Sequence, residues 1–114
     1  MAITDGTAGS GLPPGAYATL GGRRITVRDA AYLDDGTIAG STLTMDRAFR
    51  NVVTLFRRSI VDAATVCATT PARELGLEGV GAIGEGATAD LVVLDRDFRV
   101  LHTIIDGEIA YTSG

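Results

Sequence analysis

The chain has 114 residues, 46% of them apolar and 21% charged, which is the balance of a folded chain with one modest core and excludes a disordered one. Ten arginines, with no lysine, stand against fourteen acidic residues for a net charge of −4, so no excess of positive charge is available to displace counterions from nucleic acid. No apolar run approaches the roughly 20 residues of a membrane-spanning helix.

Residues 1–3 form a short apolar run that ends at Asp5, and a glycine-rich stretch follows. No basic leader precedes it, and Cys67 is the single cysteine, so no internal disulfide forms and a cytoplasmic setting is expected. Gly11-Leu12-Pro13-Pro14-Gly15 is the first strong breaker. Residues 16–20 and 23–28 flank Gly21-Gly22, with Ile25 and Val27 alternating against Arg24, Thr26 and Arg28, the pattern of an antiparallel hairpin. Ala30 to Leu33 adds a strand before the turn at Asp34-Asp35-Gly36.

The middle of the chain reads as helix. Met45, Ala48, Phe49, Val52, Val53 and Phe56 recur on one helical face, with Thr44 placed to cap it and Asp46 in the first turn. Ser59 and Asp62 have capping-box spacing for a second helix, expected to bury Ile60, Ala63, Ala64 and Cys67. A short third helix starts after Thr70, with Pro71 at its first position, and closes at Gly76. Leu91 to Leu94 is apolar without alternation, which predicts burial on both faces. Residues 99–105 and 108–112 are joined by Asp106-Gly107, a strong hairpin signal. The strand groups before and after the helices are expected to form one sheet system.

Few residues carry chemistry. Asp5 has the position of a carboxylate at a barrel-strand end, where catalytic groups of barrel enzymes stand, and it could move a proton between water and a leaving nitrogen. An Asp before Gly at a strand end is more often a turn or cap residue. His102 lies in a strand without a partner of known spacing, and one histidine makes no histidine-based metal site. Cys67 reads as a small buried hydrophobe. Ser41 and Thr42 fit either an anion at a helix N-terminus or capping, and the arginines of the first helix read as a solvated face.

Taken together, Thr4-Asp5-Gly6, the Gly11-to-Tyr17 turn leading to Leu20-Gly21-Gly22, Ile38-Ala39-Gly40-Ser41-Thr42-Leu43-Thr44-Met45-Asp46-Arg47-Ala48, Thr70-Pro71-Ala72-Arg73, Gly81 to Asp95 and Asp106-Gly107 resemble the N-acetylglucosamine-6-phosphate deacetylases of the amidohydrolase superfamily. The resemblance covers essentially the whole chain but only the last third of a complete member. It implies an α/β fold: the C-terminal part of a metal-dependent hydrolase (β/α)8 barrel, with its last strand and terminal helices, plus the C-terminal half of a small β-sandwich. Residues 1–14 would be the end of the last barrel strand and its loop, 15–39 a sandwich hairpin segment, 40–79 the terminal helices, and 80–114 sandwich strands.

The same resemblance implies roles. Asp5 aligns with the catalytic aspartate, and the backbone of Ile38, Ala39 and Gly40 aligns with the loop against the sugar and its N-acetyl group. Gly6 departs from the alanine common there. The complete enzyme would be a metal-dependent deacetylase, using a divalent metal of zinc or iron type, with N-acetylglucosamine 6-phosphate as substrate. No metal is expected on this chain alone, since the family's metal-binding Glu and His residues lie upstream. The isolated chain is expected to be inactive, and to form a homo-oligomer or associate with the missing part, because helices with one apolar face and strands without partners need cover. Two other readings stay open: a non-catalytic, self-associating structural module, and the tail of another amidohydrolase such as a dihydroorotase-like or cytosine-deaminase-like enzyme.

Overall fold

Gly21 and Gly22 lie at φ 56° and 79°, the conformation of a two-residue hairpin turn that matches strand twist and that glycine adopts without strain. They fold β1 (Tyr17–Leu20) back on β2 (Arg23–Val27), with Tyr17 opposite Thr26 and Leu20 opposite Arg23. β3 (Ala31–Leu33) pairs antiparallel on the other side of β2, with Val27 opposite Ala31. The period-2 alternation sends Ile25 and Val27 to one face, where they are 0% and 1% exposed, each burial stabilising by roughly 1.5–3 kcal/mol. A Cβ added at Gly9 would lie 3.0 Å from Val27 Cγ2 and 3.4 Å from Ile25 Cδ1, so the glycine-rich loop lays its backbone directly on this face.

After β3 the chain turns at Asp34–Gly36 and returns along β3. The Leu33 N–H donates to the Thr37 carbonyl at 2.8 Å, the Ala39 N–H to Ala31 at 2.7 Å, and the Ala31 N–H to Gly40 at 3.0 Å. Residues 37–40 thus form a strip on the β3 edge, bridged at Tyr32 and Ile38.

The computed structural model describes all 114 residues, and the chain divides into two units. The first, Ile3–Met45, is the one just described; the second joins Met1–Ala2 to Asp46–Gly114. α1 (Met45–Thr54) starts at the boundary, with Asp46 in its first turn, and gives way to a turn in which Arg57 sits at φ 52°. α2 (Ile60–Ala64) opens on a complete capping box: Ser59 Oγ accepts from the Asp62 N–H at 3.0 Å, and the Asp62 carboxylate accepts from the Ser59 N–H at 3.1 Å. The helix then continues through a π-helical segment, Thr65–Thr69, into α3 (Thr70–Glu74).

The continuity corrects the expected break at Thr70, and Pro71 gives the physical reason. A proline inside a helix cannot donate to the carbonyl four residues back and crowds it. A π turn absorbs the mismatch, with the Thr70 N–H reaching Thr65. The Phe49 and Phe98 rings pack at 5.8 Å between centroids and 52° between planes, a tilted pairing that aromatic quadrupoles favour.

β4 (Leu91–Leu94), β5 (Val100–Ile105) and β6 (Glu108–Thr112) form the second sheet in that order, all antiparallel. Asp106 at φ 50° and Gly107 at φ 81° make the tight turn between β5 and β6. The strands therefore build two separate three-stranded sheets, β1-β2-β3 and β4-β5-β6, in place of the single sheet system expected. Each group closes its ladder through local turns.

Burial also departs from the pattern. Val92 and Val93 are 57% and 39% exposed, so β4 is not covered on both faces. On α2, Ala63 is buried while Ile60 and Ala64 are exposed, and Phe56 lies beyond the end of α1 and is 70% exposed. These apolar side chains have faces to cover and nothing within the chain to cover them.

Candidate functional site

The loop that carries Asp5 meets the strip that carries Gly40. Residues 1–5 form no strand; the pairing here is a single parallel bridge between Gly6 and Ser41. Ser41 donates its N–H to the Asp5 carbonyl at 3.3 Å and its carbonyl accepts from Ser10 Oγ at 3.1 Å. The same Ser10 hydroxyl accepts from the Thr7 N–H at 3.0 Å. The strip is therefore held on one side by β3 and on the other by residues 5–10.

Of the expected site residues, Asp5 and Ile38–Gly40 come together in this unit. Asp5 is exposed, at φ 49°, a left-handed conformation that Asp tolerates better than most residues. Its carboxylate has no hydrogen bond or ion pair within the chain, so it is free to face a ligand or solvent. The Ala39 N–H and Gly40 carbonyl are already spent on Ala31. The Ile38 N–H and carbonyl belong to a non-hydrogen-bonded pair with Tyr32 and point away from β3, which leaves main-chain donors and acceptors open along the strip. Gly40 sits at φ 127°, and a Cβ there would lie 2.8 Å from Thr7 Oγ1 and 3.1 Å from Thr7 Cβ. A glycine is required at this position by both backbone and space.

Thr7 and Ser10 were not singled out in the sequence. The signal was two hydroxyl residues three apart in a glycine-rich loop, and what makes them count is a contact 31 residues away in the chain. Thr7 Oγ1 is buried and has no hydrogen-bond partner. The other candidates have local duties. Ser41 Oγ accepts from the Leu43 N–H at 2.9 Å, and Thr42 Oγ1 donates to the Asp29 carbonyl at 2.9 Å. His102 Nδ1 lies 3.1 Å from Thr112 Oγ1 across β5 and β6. Cys67 is half-buried and burial pushes its thiol up, the behaviour of an inert packing cysteine. The arginines of α1 are exposed.

A metal does not fit the residues present. No group of three or more His, Cys, Asp or Glu side chains stands together. No helix is long and apolar enough to cross a membrane.

The amidohydrolase family profile matches residues 21–110. The chain is 38% identical over 113 residues to the N-acetylglucosamine-6-phosphate deacetylase of Bacillus subtilis, covering 97% of this chain and 28% of that protein. It is 36% identical over 110 residues to the N-acetylgalactosamine-6-phosphate deacetylase of Escherichia coli O157:H7, covering 95% and 29%. The crystal structure of the Thermotoga maritima N-acetylglucosamine-6-phosphate deacetylase superposes with a TM-score of 0.84 at 40% identity, covering 97% of this chain and 31% of the other. The chain thus spans under a third of the length of these relatives. A profile match over most of its residues, and relatives that agree in sequence and in structure, make this chain a member of the amidohydrolase family.

Proposed function

We propose that this chain forms the part of an N-acetylglucosamine-6-phosphate deacetylase that carries the proton-transferring aspartate and a length of sugar-facing backbone. In the reaction, water adds to the acetyl carbonyl, the carbon–nitrogen bond breaks, and acetate and glucosamine 6-phosphate leave. Asp5 takes the proton from the attacking water and gives it to the departing nitrogen, a role for a carboxylate worth about 10²–10⁴ in rate. The open main-chain groups of Ile38, on the strip that runs through Ala39 to Gly40, receive the sugar and its N-acetyl group. A divalent metal of zinc or iron type, which the family implies for full-length enzymes, would be held by polypeptide outside these residues. On this reading residues 1–14 and 40–79 belong to a barrel and the remainder to a small sandwich.

One observation carries the reading: the hydrogen bond from the Ser41 N–H to the Asp5 carbonyl, 3.3 Å, which joins the aspartate's loop to the end of the strip. The test is acetate release from N-acetylglucosamine 6-phosphate by the native protein, with Asp5→Asn expected to lose about 10²-fold or more. Full activity in that variant removes Asp5 from the reaction. The 114-residue chain by itself, supplied with Zn²⁺ or Fe²⁺, is expected to release none.

A second substrate is favoured by the Escherichia coli relative, whose name gives N-acetylgalactosamine 6-phosphate at nearly the same identity. The two sugars differ only in the configuration at C4. Rates on the two phosphates, measured side by side, decide between them.

A further inference from the structure

We propose that Ser10 is a positioning residue for this reaction, its hydroxyl holding the loop of Asp5 in register with the strip of Ile38 to Gly40. The proposal rests on the reading of Asp5 as the proton carrier. Asp5 needs such a tie, because its carboxylate has no partner in the chain and the next residue, Gly6, has no side chain to anchor. The one direct link from Asp5 to the strip, the Ser41 N–H to the Asp5 carbonyl, is 3.3 Å, at the long end of useful hydrogen bonds.

Ser10 supplies the stronger closure. Its hydroxyl accepts from the Thr7 N–H at 3.0 Å and donates to the Ser41 carbonyl at 3.1 Å, so its single proton and one lone pair are both used. Its own N–H returns to the Thr7 carbonyl at 2.9 Å, which fixes the loop from Thr7 to Ser10 as one turn. Space around the hydroxyl is committed as well: a Cβ on Gly6 would lie 2.7 Å from Ser10 Oγ. Glycine at position 6 and the hydroxyl at position 10 are thus a matched pair. The strip has an independent anchor in Ala31 and Tyr32. Loss of the Ser10 hydroxyl therefore loosens the aspartate's loop, leaving it the long Ser41 N–H bond and the packing of Thr7 on Gly40, and keeps the sugar-facing backbone in place.

That asymmetry predicts a split between kcat and KM. In the native protein, Ser10→Ala is expected to lower kcat about tenfold or more, since small misplacement of a reacting group carries large losses, with KM within about twofold because uniform binding is untouched. Ser10→Thr, which keeps the hydroxyl, is expected to restore kcat, and Gly6→Ala, whose methyl displaces that hydroxyl, is expected to resemble Ser10→Ala. A raised KM at unchanged kcat, or no change, overturns the proposal. Amide exchange on the 114-residue chain reads the tie without activity. In Ser10→Ala the Thr7 N–H is expected to exchange at least about tenfold faster, while the Ala31 and Ala39 N–H groups keep their protection, as local opening allows. Equal exchange at Thr7 in both forms overturns it even if a variant is too unstable to assay. An active Asp5→Asn protein sinks the reading of Asp5, whereas an inactive Asp5→Asn beside a fully active Ser10→Ala sinks the Ser10 proposal alone.

Discussion

The side chain of Thr7 fills the space that a Cβ on Gly40 would need, with Thr7 Oγ1 2.8 Å and Thr7 Cβ 3.1 Å from that point. The contact locks the aspartate's loop onto the strip. It also leaves Thr7 Oγ1 buried and unpaired.

Gly40→Ala is therefore expected to destabilise the unit Ile3–Met45. It places a methyl group against Thr7 and forces alanine to φ 127°, each an effect of about 1–3 kcal/mol. Thr7→Ala in the same chain removes the obstructing atoms and recovers part of the loss, leaving the backbone strain. Urea unfolding of the two single variants and the double variant measures the coupling; strict additivity would show that the two residues do not meet.

Thr7→Val tests the unpaired hydroxyl. Valine keeps the shape and removes the orphaned oxygen, whose burial without a partner costs roughly 1–3 kcal/mol. The variant is expected to match or exceed the parent in unfolding midpoint. A clear loss would mean that Thr7 Oγ1 has a partner, such as an ordered water.

The capping box at Ser59 and Asp62 makes a pH prediction. The Ser59 hydroxyl and its N–H hold the Asp62 carboxyl below its ordinary range, so the folded form binds this proton less readily than the unfolded one. The contribution is present above the unfolded-state pKa and is lost as pH falls through the depressed folded value. Asp35, held down by the Thr37 N–H and then by Arg23, follows the same sign. Helix content, read by circular dichroism, is expected to fall on acidification, and Ser59→Ala is expected to lose about 1 kcal/mol of helix stability at neutral pH and to flatten that pH dependence. An unchanged acid limb in Ser59→Ala would separate it from the box.

These features differ in how far the sequence exposes them. Gly21-Gly22, Asp106-Gly107 and the Ser59–Asp62 pair are legible because each acts within four residues, through backbone conformations or hydrogen bonds that their residue types favour. The π segment is not, since Pro71 reads equally well as a helix start and only continuity upstream turns it into an interior proline. β4 misleads for another reason: an apolar run states a need for cover on two faces and cannot say whether the same chain meets it. Asp5 and the strip are visible only by family resemblance. Ser10 is silent in the sequence because its partner is Ser41, 31 residues on.

The uncovered apolar surface predicts association. Two separate compact bodies of 43 and 71 residues, the sizes of the two units, would expose about 7,100 Å² together by mass scaling. The chain exposes 7948 Å². Large apolar side chains are part of that surface: Ile83 is 90% exposed, Val61 73%, Leu75 71%, and Leu55 and Phe56 70% each. Only Ile25 and Val27 among the large side chains are fully buried. Surfaces of this kind mark contact faces in soluble proteins, and both edges of the sheet β4-β5-β6 are open to further pairing. The purified chain is expected to bind a hydrophobic dye and to gain mass with concentration in sedimentation equilibrium. Replacing Val61 and Leu75 by Glu is expected to reduce both without loss of helix content. A monomer at all concentrations that binds no dye would show that the chain covers these side chains itself.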